Sequence, residues 1–384
     1  MNNLIQQQTA FNNRLLLLDV MRAFAVFMMI QGHTIDALLH KSFYDYSSPV
    51  FQLWQIGRGL TAPIFLFGSG FAYVIANTRK SVGGRLPGSV ILKRVRWIGA
   101  LFFVGVLMHF PMNAIGAFDQ ISFERWQIFY HVDVLRLIAV SLLGLLVLFI
   151  FTRSLRTLKI SATVAAVLIV AVSPIIDNSA WASSLPAFFS GYLTFKTGSY
   201  FPLFPFSAYL FAGAASAAWY KSLQNKNALW TVIKRFGMIG ATLVVLVQVL
   251  SNTVFESSSW VFTGSSPLLF LMRLGIVFLL WSGVGVLMRK VRTLPKIVPI
   301  VGQHTLFIYV FHVVILYGSA WAIGLRAIYG KELDFLPVLA VILTLLVICS
   351  GLAYALNYMK QRNMKVYKFI PYAGIVLLIL VAIF

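Results

Sequence analysis

Long apolar runs separated by short polar ones set out this chain, with centres near residues 26, 67, 104, 141, 168, 211, 245, 278, 308, 346 and 377. A helix rises 1.5 Å per residue, so a run of about twenty apolar residues crosses a hydrocarbon layer about 30 Å thick. The pattern therefore predicts about eleven membrane-spanning helices. The first covers roughly 14–39, and the polar residues before it, 1–13, with three consecutive glutamines, read as a frayed tail.

The polar residues between the runs alternate in sign. Arg79, Lys80, Arg85, Lys93, Arg94 and Arg96 follow the second run, and Arg153, Arg156 and Lys159 the fourth. Lys221, Lys226, Lys234 and Arg235 follow the sixth, Arg289, Lys290, Arg292 and Lys296 the eighth, and Lys360, Arg362, Lys365 and Lys368 the tenth. Short loops rich in Lys and Arg stay on the cytoplasmic side, which predicts a cytoplasmic N-terminus. Of the ten acids only Asp19 lies toward that side; Asp36, Asp45, Asp119, Glu124, Asp133, Asp177, Glu256, Glu332 and Asp334 fall at outer ends. The longest outer loop, about 178–200, carries Trp181, Phe188, Phe189, Tyr192 and Tyr200. It reads equally as an interfacial aromatic belt or as a wall of an acceptor cleft.

Composition agrees with a polytopic membrane protein: 384 residues, 60% hydrophobic and 11% charged, with a mean hydropathy of +0.86. That leaves too little polar surface for a soluble globule. A net charge of +21 would suit nucleic acid, but the cations sit in short loops, so no nucleic-acid partner is expected. The single Cys349 excludes an internal disulfide and a cysteine-built metal site. No cleavable signal peptide is expected, because the first run is too long and carries Asp19 and Arg22. One membrane domain over 14–384 is expected, in a membrane that the bare chain suggests is the bacterial inner membrane. A homo-oligomer is compatible with the pattern.

The first run holds four ionisable residues: Asp19, Arg22, His33 and Asp36. Eleven steps of about 100° from Arg22 to His33 fall within about 20° of three full turns, so both side chains share one face, roughly 16 Å apart. An ionisable group within a span costs several kcal/mol unless paired or lining a polar cavity. Either these are two structural pairs, Asp19 with Arg22 and His33 with Asp36, or the stripe lines a reaction cavity.

In the second run, Gly68, Ser69 and Gly70 form a small-residue face suited to helix packing or to a slender ligand. Lys93, Arg94 and Arg96 open the third run, as a topology anchor or as phosphate-binding cations. His33, His109, His131 and His312 fall in outer halves or ends of runs, with His40 in a loop; His109 and His131 are expected to make interhelical hydrogen bonds. Arg136 and Arg273 also lie in runs, Arg136 one turn after a plausible partner, Asp133. No metal-ligand spacing, glycine-rich phosphate loop or serine nucleophile elbow occurs.

Several of these motifs together carry a resemblance. Leu18-Asp19-x-x-Arg22, ten residues and then His33 resembles the first helix of the family 3 membrane acyltransferases. Pro63, Phe65 and Ser69-Gly70-Phe71 are similar to their second helix, and Lys93 with Arg96 to an arginine pair three apart in that family. Gly302-Gln303-His304 through Tyr309 to His312 resembles a late helix. The resemblance covers the first three runs well and one later run loosely. The wider superfamily includes the heparan-α-glucosaminide N-acetyltransferase-like proteins, from whose signature this chain departs: Trp54 stands for the histidine before Gly-Leu-Thr and Pro63 for the acid after it. The family 3 pattern is therefore the safer template.

The resemblance implies an all-α membrane enzyme that moves an acyl group, usually acetyl, from cytoplasmic acyl-CoA to a sugar or envelope acceptor outside. Acetyl-CoA is the expected donor, and no permanently bound cofactor or metal is expected. His33 is expected to act as general base or transient acyl carrier, because imidazole titrates near working pH. Asp36 would orient its ring, Asp19 would fix Arg22, and His312 would line the same cavity. Arg22, Lys93, Arg94 and Arg96 would hold the CoA phosphates, and Ser69 and Gly70 the pantetheine arm. The rival reading is a secondary transporter or lipid flippase, which also carries buried Arg, His and Asp. A transporter would consume no acyl-CoA.

Overall fold

The computed structural model describes residues 15–111, 121–223, 227–253, 263–291, 293–318, 323–364, 366, 367 and 369. The protein is an all-α polytopic integral membrane protein: among the described residues the only β structure is two isolated bridges. The helices are α1 (Leu16–Leu38), α2 (Pro49–Gly59), α3 (Thr61–Thr78), α4 (Gly88–Met108), α5 (Phe123–Tyr130), α6 (Val134–Phe151), α7 (Leu155–Asn178), α8 (Ala180–Ser184), α9 (Ala187–Leu193) and α10 (Leu203–Ser222). They continue as α11 (Ala228–Thr253), α12 (Pro267–Lys290), α13 (Ile297–Gln303), α14 (Thr305–Tyr317), α15 (Leu325–Tyr329) and α16 (Phe335–Arg362).

The first ten predicted centres each fall within a helix or, near 308, within the pair α13 and α14; the eleventh, near 377, lies outside the described residues. Seven stretches are long and apolar enough to cross a membrane, α2 and α3 counting as one of them, and α13 with α14, bent by 80°, would make an eighth. Two predicted runs are helical without joining that set. Helix α4 is diluted by Lys93, Arg94 and Arg96, and α10 by its Pro, Ser, Gly, Tyr and Trp residues.

The described chain gathers into two compact units, each assembled from separate segments. One comprises residues 62–106 and 130–290. In it α10 packs on α7, and α11 on α12. Helix α7 starts with Ser154, whose hydroxyl accepts from Thr157 N–H at 3.0 Å while the Ser154 N–H donates to Thr157 Oγ1 at 3.2 Å, so two orphan donors are satisfied at once. Glycines let backbones touch: a Cβ at Gly70 would lie 1.9 Å from the Leu210 carbonyl oxygen, and one at Gly213 would lie 2.0 Å from that of Phe67. Gly70→Ala is therefore expected to destabilise by about 1–3 kcal/mol, since α3 and α10 would have to part; thermal unfolding in detergent reads this. The Phe67 ring packs edge-on against Trp281, Phe278 and Phe236, with centroids 5.2, 5.5 and 5.9 Å away.

Asp133 and Arg136 pair as the spacing predicts, with 3.5 Å between Asp133 Oδ1 and Arg136 Nε, both side chains buried. The same carboxylate caps α6 by accepting from Arg136 N–H at 2.8 Å, and the guanidinium donates to the His131 carbonyl. His131 lies in the loop before α6, with its ring edge-on to Tyr200. The aromatic loop at 178–200 is folded: it holds α8 and α9, and Asp177 Oδ1 accepts from the Thr194 hydroxyl at 2.7 Å and Phe195 N–H at 2.9 Å.

The other unit comprises residues 1–61, 107–129 and 291–384. In it α1 packs against α13, α14 and α16, through buried Leu18, Met21, Ala25, Val26, Met29 and Ile30. A Cβ at Gly302 would lie 1.9 Å from the Asp19 carbonyl oxygen, so only glycine lets α13 reach the α1 backbone. Beyond α1, a parallel bridge joins Leu39 to Leu333, with His40 N–H donating to the Leu333 carbonyl at 2.9 Å.

Candidate active site

Helix α1 carries all four ionisable residues of its run, and the unit it belongs to surrounds them with partners from α2, α13 and α14. Toward the C-terminal end of α1, His33 Nδ1 lies 3.0 Å from His312 Nε2 on α14. The two rings meet edge to edge in nearly parallel planes, with centroids 5.2 Å apart and planes 17° from parallel. His33 is half-buried and His312 fully buried. His312 Nδ1 lies 2.8 Å from the Ile308 carbonyl oxygen, one turn back on its own helix. The Tyr317 hydroxyl donates to the His33 carbonyl at 3.2 Å, its ring edge-on to the imidazole. The expectation that His312 shares a cavity wall with His33 thus becomes a direct contact across 279 residues of sequence.

The expected role of Asp36 is corrected. Its carboxylate forms an ion pair with Arg58 of α2, while the Nδ1 of His33 is engaged by His312, so Asp36 does not orient that ring. A full guanidinium charge brought against a half-buried carboxylate outcompetes a neutral imidazole one turn away. The Arg58 guanidinium also stands 5.7 Å over the Trp54 ring. Trp54 Nε1 donates to Gln31 Oε1 at 2.8 Å, and Gln31 Nε2 donates to the Met28 carbonyl at 3.1 Å. Helix α2 is therefore tied to α1 by two polar contacts one turn apart. Arg58→Met is expected to cost about 1–2 kcal/mol by stranding the Asp36 carboxylate, and Arg58→Met with Asp36→Leu to cost less. Thermal melting of the single and double variants checks this; equal losses would mean that the pair is energetically idle.

Outside the spans, the α1–α2 connection carries two shifted groups. Hydrogen bonds from Ser47 hydroxyl and N–H, at 2.6 and 3.0 Å, hold the Asp45 carboxyl below its ordinary range. Burial, and after it the nearby Asp36 carboxylate, push the Tyr44 hydroxyl above its ordinary value. That hydroxyl donates to the Ile35 carbonyl at 3.3 Å.

At the other end of α1, Asp19 is buried and its Oδ2 accepts from Gln303 Nε2 at 3.4 Å. Arg22 is half-buried, eleven residues before His33. An apolar cavity of about 200 Å³ lies between α1, α13, α14 and α16, walled by Val26, Ile30, Ile308 and Leu346. It holds no reactive group beyond the Cys349 thiol and Ser350 hydroxyl.

The remaining expected donor residues lie in the other unit. Arg94 Nε donates to buried Asn77 Oδ1 at 2.7 Å, and its guanidinium stands 5.6 Å over Tyr73, so Arg94 ties α4 to α3. Lys93 and Arg96 are exposed, and Ser69 is half-buried. The face at Gly70 is filled by the α10 backbone, which corrects its expected use for a pantetheine arm: that face packs helices. Among the described residues no three His, Cys, Asp or Glu side chains converge as a metal site requires.

Sequence reasoning missed four residues of the site: Arg58, Trp54, Gln31 and Tyr317. The signal for Arg58 and Gln31 was present, since a cation and an amide inside apolar runs need partners.

No curated protein matches this chain. The sequence profile described as heparan-alpha-glucosaminide N-acetyltransferase, catalytic, matches residues 14–249. That span exceeds half of the 384 residues and takes in α1 with Arg22 and His33, α2 with Arg58, and α4. On that match the chain belongs to the family of the heparan-alpha-glucosaminide N-acetyltransferase catalytic domain, a family of transmembrane acetyltransferases.

Proposed function

We propose that the protein transfers an acyl group, acetyl above all, from acyl-CoA to a hydroxyl or amine of a sugar or envelope acceptor, with His33 as general base. The observation that supports this reading is the His33–His312 contact between α1 and α14 of an acetyltransferase family member. His33 takes the proton from the acceptor O–H or N–H. The freed oxygen or nitrogen bonds to the thioester carbonyl carbon, the C–S bond breaks, and the thiolate leaves with the proton that His33 returns. No external oxidant or metal enters the balance.

Lys93 and Arg96, exposed and one turn apart on α4, are the cations we assign to the CoA phosphates. Arg94 is committed to Asn77. Arg22 is proposed to serve the donor end of α1. The basic loops are proposed to face the cytoplasm of a bacterial inner membrane, with the acceptor on the opposite side.

One feature of the fold favours the rival transporter reading: the 80° bend between α13 and α14. Transporters of that design place broken helices in pairs at corresponding positions, and among the described residues only one such bent pair occurs. The test is release of free thiol from acetyl-CoA by purified protein given a mixture of envelope sugars. Thiol release matched by an acetylated product supports transfer. Sugar movement into vesicles with no thiol released would replace this reading by transport.

A further inference from the structure

We propose that His312 is a positioning residue that fixes the tautomer of His33, so that the base presented to the acceptor is His33 Nε2. The inference rests on the acyl-transfer reading only for what Nε2 acts upon.

His312 Nδ1 is 2.8 Å from the Ile308 carbonyl oxygen. A carbonyl only accepts, so Nδ1 carries hydrogen. A neutral imidazole has one N–H, which leaves His312 Nε2 as a bare lone pair. That nitrogen lies 3.0 Å from His33 Nδ1, and only His33 can supply the proton between them. His33 is therefore protonated at Nδ1 and bare at Nε2. Among the described residues no protein group hydrogen-bonds to His33 Nε2, and His33 is half-buried where His312 is fully buried. The buried ring is the anchor, held to its own helix backbone, and the more accessible ring carries the reactive lone pair.

A second group that holds an imidazole in the productive tautomer is what the aspartate of a hydrolase triad supplies. Here the acceptor is a neutral histidine, and the nearest acid along α1, Asp36, is engaged by Arg58. When His33 Nε2 takes a proton from the acceptor, the Nδ1 proton can pass to His312 Nε2. The pair then holds one extra proton over two rings, and returns it as the thiol leaves.

The test is ¹⁵N NMR of the full chain, labelled at histidine, in nanodiscs, with the signals assigned by their loss in His33→Asn and His312→Gln. The expected result is protonated Nδ1 and bare Nε2 in both rings; a His33 protonated at Nε2 would overturn the proposal. Turnover gives a second readout. His312→Gln keeps an acceptor for His33 Nδ1 and is expected to stay within about tenfold of wild type. His312→Phe fills the space without an acceptor and is expected to lose about a hundredfold, with the His33 proton moving to Nε2. Unchanged tautomer and turnover in His312→Phe would reduce His312 to packing. Should the wild type show the expected tautomers yet release no thiol from acetyl-CoA, the relay stands and the acyl-transfer reading falls.

Discussion

Replacing His33 by asparagine is expected to lower acetyl transfer by about a thousandfold while leaving the fold and acetyl-CoA binding intact. Positioned general bases contribute about 10²–10⁴ in rate, and His33 Nε2 is the nitrogen in the stripe left without a protein partner among the described residues. Asparagine is the informative replacement because its amide can still donate toward His312 Nε2. Alanine would strand that buried nitrogen, at a cost of about 1–3 kcal/mol, and mix a folding defect into the result. Turnover and donor affinity measured on the same preparation separate the two effects. An asparagine variant that turns over near the wild-type rate would remove His33 from the chemistry.

Gly302→Val is expected to be the most damaging change away from the histidines. A Cβ there would lie 1.9 Å from the Asp19 carbonyl oxygen and 2.7 Å from its carbon, and backbone cannot move aside as a side chain can. Helix α13 must then lift off α1, at a cost of about 3 kcal/mol or more. The displacement falls two residues before His304, where α13 gives way to α14, so it reaches His312 and its contact with His33. Both melting temperature and turnover should fall. Gly283→Ala, at a position with nothing within 4 Å of the added carbon, should change neither. Loss of stability with full turnover in Gly302→Val would show that α13 does not position His312.

These two cases also show what the sequence could and could not reveal. The helices were legible because most of the apolar runs are long enough to span a membrane and are bounded by charge, which needs no knowledge of packing. His33 and Arg22 stood out because ionisable residues inside a span demand an explanation. Spacing along one helix, however, offers only neighbours at three or four residues, so it paired His33 with Asp36. The actual partners, His312 for His33 and Arg58 for Asp36, come from other helices.

The same limit leaves Gly70 open between packing and ligand contact in the sequence; in the fold the Leu210 backbone, far along the chain, closes against it. At Trp54 and Pro63 the departures from a short signature favoured the family 3 template. The match over residues 14–249 instead names the heparan-alpha-glucosaminide N-acetyltransferase family. Trp54 makes its own contribution there, through its hydrogen bond to Gln31 and its stacking under Arg58.

Transfer of an acyl group across the membrane is tested most directly in sealed vesicles, with the protein reconstituted in one orientation and labelled acetyl-CoA confined to the side of the basic loops. A glucosamine-bearing acceptor is supplied only on the other side. The account predicts labelled acetyl-acceptor on that far side, one for each thiol released within, and none with His33→Asn. Acceptor crossing the membrane without thiol release, or label appearing on the far side undiminished in the variant, would contradict it.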